Sequence, residues 1–152
     1  MDTPRRAQLV IEMLQHAVNG RHDDATSVLA QIAQACDGQQ MYGVCCGVAD
    51  AARQSLIRLF GEPSRLGLWA LAAPDPAEGP EHPAHTFAMR FVSAFANDDQ
   101  DTCQALYLAA MRASANDFAH SVTALVGITA HITRTAVEEL AADSEKPSQH
   151  PH

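Results

Sequence analysis

A chain of 152 residues with 47% apolar content is long enough to close one ordinary hydrophobic core without disulfide staples. Its formal charge of -8 is unevenly placed: residues 1–73 hold seven acids and six bases, whereas residues 74–152 hold eleven acids and four bases. That polarity excludes nucleic acid and anionic membrane as expected partners, since both select clustered Lys and Arg, and it favours a partner with a basic surface.

The apolar content comes from Ala, Leu and Val with only 5% aromatics, which favours helix over sheet. No run of about 18 apolar residues is present to span a membrane. The basic start Met1 to Arg6 leads into a helix interrupted by Glu12, Gln15 and His16, so no secretory apolar region follows it. The expected location is cytoplasmic, with Cys36, Cys45, Cys46 and Cys103 as reduced thiols.

Thr3 is expected to cap a first helix, with Pro4 at the first helical position and a face of Val10, Met13, Leu14, Ala17 and Val18. Asn19-Gly20 ends it, because both residues tolerate the left-handed conformation common at helix C-termini. Asp23 and Asp24 suit the positive end of a second helix running through Val28, Leu29, Ile32 and Cys36. After Asp37-Gly38, a third helix carries Met41, Cys45, Val48, Ala52, Leu56 and Leu59 as one seam and stops at Gly61-Glu62-Pro63.

Residues 64–73 are too apolar for a free linker and are expected to lay Trp69 over one end of the core. Residues 74–83 contain four of the eight prolines and are expected to be extended and solvated. Beyond them a fourth helix reads Phe87, Phe91, Val92 and Phe95. Asp98, as N-cap, and Asp101 start a fifth, with Leu106, Tyr107, Ala110 and Met111 on its face. A sixth bears Phe118, Val122, Leu125, Thr129, Ile132, Ala136 and Leu140, and residues 143–152 read as a disordered polar tail.

The chain also resembles itself at an offset of 78 residues. Asn19 matches Asn97, Asp23 matches Asp101, Ala35 matches Ala113, and Val44, Val48 and Ala52 match Val122, Val126 and Ala130. Each three-helix half leaves an apolar side uncovered, so the halves are expected to pack face to face. The expected fold is all-α, a six-helix bundle built from two similar three-helix halves about a pseudo-two-fold axis and joined by the Pro-rich linker. One helical domain, 1–142, comprises halves 4–73 and 84–142 with linker 74–83.

Chemistry-bearing residues are sparse in pattern. His82-x-x-His85 has no second ligand pair at zinc spacing, and His150 and His152 belong to the tail. Adjacent Cys45 and Cys46 point about 100° apart on a helix and read as small thiols filling a tight crossing beside Gly43 and Gly47. The acids of 97–101 lack the glycine and distal glutamate of a calcium loop. No phosphate loop, nucleophile elbow or metalloprotease pair occurs, so no catalytic residue, metal or cofactor is assigned.

Two functions stay open. One is a non-enzymatic cytoplasmic protein–protein interaction or regulatory module, with a homodimer compatible with it, whose acidic second half meets a basic partner. The alternative is a small-molecule sensor or carrier with a pocket between the halves near Tyr42, Cys46, Trp69, His120 and Val126. There, Tyr42 and His120, related by the 78-residue offset, would face each other across a cavity.

Overall fold

The apolar stripes at helical spacing become six α-helices in the computed structural model, which describes residues 2–61 and 83–145, with side chains as far as Asp143. They are α1 (Thr3–Val18), α2 (His22–Ala35), α3 (Gly38–Phe60), α4 (Pro83–Ala96), α5 (Gln100–Arg112) and α6 (Ala115–Glu145). No strand occurs among the described residues. Trp69, the 64–73 segment and the proline joint lie outside them, apart from Pro83, where α4 begins.

Helix starts are set by short acceptors satisfying the free N–H groups of the first turn. Asp2, not Thr3, caps α1: it is extended, and its carboxylate accepts the Arg5 N–H at 2.8 Å. Asp37 and Gln40 form a reciprocal capping box on α3, with bonds of 2.8 and 3.1 Å. Asp99, rather than Asp98, caps α5 by accepting from the N–H of Thr102. At the far end α6 continues to Glu145, past the sequence boundary at residue 142.

Two helices end alike. After α1, Gly20 adopts φ 78°, its N–H donates to the Ala17 carbonyl, and the next N–H, of Arg21, donates to that of His16. After α4, Asp98 adopts φ 58°, donates to Phe95, and is followed by the Asp99 N–H donating to Ala94. This is the Schellman closure, which needs one left-handed residue past the helix end. Glycine adopts that conformation freely, whereas aspartate pays some strain for it.

Side-chain contacts fix the helix directions. Arg6 and Val10 of α1 lie beside Gly43 and Gly47 of α3, so those two run the same way. Tyr42 meets Phe91 and Arg53 meets Asp98, which aligns α4 with α3. On α6, Phe118 approaches Tyr107, whose hydroxyl donates to the Gly38 carbonyl at the start of α3, while Thr133 meets Ser55 near its end. Thus α1, α3, α4 and α6 point in one direction, and α2 and α5 return along the outside.

One continuous core joins both parts of the chain. Met13, Ile32, Val44, Val48, Phe91, Val92 and Leu125 are its large, solvent-free side chains. Each such burial contributes about 1.5 to 3 kcal/mol. The crossing expected at Gly43 and Gly47 is less tight than the sequence suggests. A Cβ at either position would stand 3.9 Å from its nearest neighbour, an ordinary contact, while Cys45 fills the core by itself.

Two polar features interrupt this interior. Ser55 Oγ donates to Thr133 Oγ1 at 3.1 Å between α3 and α6. Thr129 is fully buried, and its hydroxyl has no hydrogen-bond partner among the described residues. Arg134 reaches from α6 to the end of α1, donating from Nε to Val18 O and from Nη2 to Ala17 O, both at 3.1 Å. It places a cation where the α1 carbonyls carry partial negative charge.

Candidate functional site

The site begins with a helical spacing. Tyr42, Cys46 and Arg53 lie four and then seven residues apart on α3, within about 40° of one another around the axis. This strip faces the α4–α5 turn and the first half of α5. With Phe95, Asp98, Asp99, Gln100 and Cys103 it encloses a cavity of about 100 Å³.

The cavity has a neutral floor and a charged rim. On the floor, the ring of Tyr42 meets that of Tyr107, which lies outside the cavity lining, at 5.1 Å, and approaches the edge of Phe91 at 6.4 Å. The Tyr42 hydroxyl donates to the Cys46 thiol. Burial pushes the Tyr42 hydroxyl far above its ordinary range and raises the Cys46 thiol, although the bond from Tyr42 partly opposes the latter. Burial likewise holds the Cys103 thiol of the cavity at about 11 and, outside its lining, Tyr107 at about 12 and Cys45 at about 12. At neutral pH the floor therefore presents O–H and S–H groups and no anion.

At the rim, Arg53 Nη1 stands 3.5 Å from Asp98 Oδ1 in an exposed pair, a geometry worth well under 1 kcal/mol. Asp99 accepts from both the N–H and hydroxyl of Thr102, and those bonds lower its carboxyl pKa. Two thiols and two carboxylates line the space, yet no group of three or more His, Cys, Asp or Glu among the described residues could hold a metal ion. The arrangement suits a few ordered waters, or a ligand of a few heavy atoms, bound by weak donors.

The structure brings Tyr42 and Cys46 together at this cavity. It does not bring His120 or Val126 to it: His120 is exposed on α6, and Val126 is buried in the common core. Trp69 lies outside the described residues. Among the cavity residues that the sequence reading did not single out are Cys103 of α5 and Arg53 of α3. A signal for the first existed in the four-residue step from Cys103 to Tyr107, which repeats the step from Cys46 to Tyr42 in reverse.

No helix among the described residues is long and apolar enough to cross a membrane. No family model matches the chain, and comparisons with curated proteins and with solved structures find no match either.

Proposed function

We propose that the chain is a helical protein–protein interaction module of the cytoplasm whose acidic second half receives a basic, partly apolar segment of a protein partner. The observation that carries this is the outer side of α5. Leu108 and Met111, one turn apart, are 51% and 44% exposed, on a helix that starts from the exposed acids Asp98, Asp99 and Asp101. Apolar side chains on a helix that begins with exposed acids, and ends at Arg112, suit a segment that combines Lys or Arg with Leu-like anchors.

The cavity favours this reading over a carrier. Sites for drug-sized ligands occupy about 300 to 1,000 Å³, whereas this one offers about 100 Å³. A thermal shift caused by a small metabolite would speak for the sensor alternative. The interaction reading is tested by affinity capture from the host with wild type and with a Leu108→Ser, Met111→Ser double variant. A protein that wild type retains, that the variant loses and that high salt releases is expected. Equal retention by both, or substrate turnover without any bound partner, overturns the proposal.

We further infer that the bundle is a duplicated unit, two three-helix halves about a pseudo-two-fold axis joined by the proline-rich segment. Two observations support it. Ser55 and Thr133, 78 residues apart in the chain, touch each other as equivalent positions on a two-fold axis would. The left-handed closures at Gly20 and Asp98 share that spacing. Cleavage within residues 74–83 is expected to leave halves that stay associated or unfold together, and two independently stable fragments would refute the duplication.

A further inference from the structure

The bundle ends unevenly. Ser55 of α3 meets Thr133 of α6, and Val18, at the close of α1, meets Arg134. Asp98, just past α4, stands beside Arg53, two residues before Ser55. At these levels α1 and α4 stop near or before residue 134 of α6 and α3 stops near residue 138, whereas α6 continues to Glu145. Every residue from Val137 to Asp143 is exposed. The side of α6 that meets α3 nevertheless stays apolar through this stretch. Val137 and Leu140, four and seven residues beyond Thr133, are 52% and 46% exposed, and Phe60, which ends α3 at their level, is 70% exposed.

We propose that this strip is the docking site of the chain's own residues 64–73, with Trp69 seated against Val137 and Leu140. The surface is separate from the outer side of α5 and does not depend on partner binding there.

The length of the connection supports that occupant. Because α3 and α4 run in the same direction, the chain leaves α3 at this end and returns to begin α4, whose Phe91 is already level with Tyr42 near the start of α3. The return covers the 23 residues of α3, about 34 Å at 1.5 Å each. About eleven residues at ~3.1 Å each span that distance. The connection has 22, residues 61–82, and Pro74, Pro76 and Pro80 suit the half next to α4 to the traverse. The other half starts at the strip and carries Leu66, Leu68, Trp69 and Leu71. Arg65 adds a charge opposite to that of the exposed Glu138, Glu139 and Asp143 on the same turns of α6. A second copy of the chain fits less well: so few side chains offer a few hundred Å² at most, well short of the ~800 Å² per partner of a stable interface.

Trp69 is the chain's single tryptophan, so intrinsic fluorescence reads its surroundings. In the full chain the emission maximum is expected to lie to the blue of N-acetyltryptophanamide, with acrylamide quenching several-fold weaker, and neither should change on dilution. The double variant Val137→Gln, Leu140→Gln is expected to move both readings to those of a solvated indole while far-UV circular dichroism stays helical. The α5 double variant Leu108→Ser, Met111→Ser is expected to leave them unchanged. Hydrogen exchange reads the same contact without altering α6: the amides of residues 137–145 should exchange faster in Trp69→Ala than in wild type. A solvated indole in wild type, a shielded indole indifferent to the α6 substitutions or moved by the α5 ones, α6 amides indifferent to Trp69→Ala, or an emission that shifts on dilution because a second copy covers the strip would each overturn the proposal.

Discussion

Replacing Thr129 by valine should stabilise the protein. Elsewhere on these helices a threonine hydroxyl turns back to the carbonyl four residues earlier, as Thr26, Thr123 and Thr135 do at 2.8, 2.8 and 2.9 Å. Thr129 does not, although it is fully buried. An unpaired buried polar group costs about 1 to 3 kcal/mol. Valine keeps the branched shape and has nearly the same helix propensity, so little opposes the gain. For a domain of this size each kcal/mol moves the melting temperature by about 2 to 4 °C. Calorimetry of Thr129→Val should show a rise of about 2 to 12 °C. Thr129→Ser, which keeps the hydroxyl and loses the methyl, should melt below wild type. A valine variant that melts lower than wild type would mean that the hydroxyl is bonded in solution, and would refute the reasoning.

Other perturbations follow from single features. Arg134→Ala removes two charge-assisted bonds from the end of α1 and should cost about 1 to 2 kcal/mol in urea unfolding, with Arg134→Lys intermediate because an ammonium cannot span both carbonyls as a planar fork does. Gly127 lies inside α6, where an added Cβ would meet nothing within 4 Å, so Gly127→Ala should raise stability by about 1 kcal/mol in the same assay. Stability should also fall in alkali. Cys45, Cys103 and Tyr107 ionise at their ordinary values of 9.0 and 10.0 when unfolded, but at about 12, 11 and 12 when folded. The unfolded chain thus loses protons first, and the stabilisation present below pH 9 is lost as pH rises toward 12. Urea midpoints at pH 8, 9, 10 and 11 would check this, and a constant midpoint would contradict it.

Helix positions were legible because the apolar residues recur with the period of one helical face, and Met13, Ile32, Val48, Phe91 and Leu125 then pack into the core. Caps were less legible. Asp2 and Thr3, or Asp98 and Asp99, offer similar side chains, and backbone conformation decides which one accepts the first-turn N–H. The location of His120 could have been read more closely: it stands two residues, about 200° around the helix, from the buried Val122, on the side facing away from it. The meeting of Tyr42 with Tyr107 was hidden for a different reason. Periodicity shows which side of a helix is buried, but not which neighbour covers it or in what register. Thiol spacing carried part of that information only once α3 and α5 were known to run in opposite directions.

The shared direction of α1, α3, α4 and α6 gives the molecule an electrical axis. Each helix carries roughly half a positive charge at its start and half a negative charge at its end, so two returning helices leave two uncompensated, roughly one elementary charge of each sign at opposite poles. Asp2, Asp37 and Asp117 stand at the positive pole, and Arg53 and Arg134 stand toward the negative one. These side chains oppose the field of the backbone at both poles. A cation arriving from solution would therefore be oriented mainly by exposed surface acids such as Asp101 in the first turn of α5, with little pull from the helices beneath them.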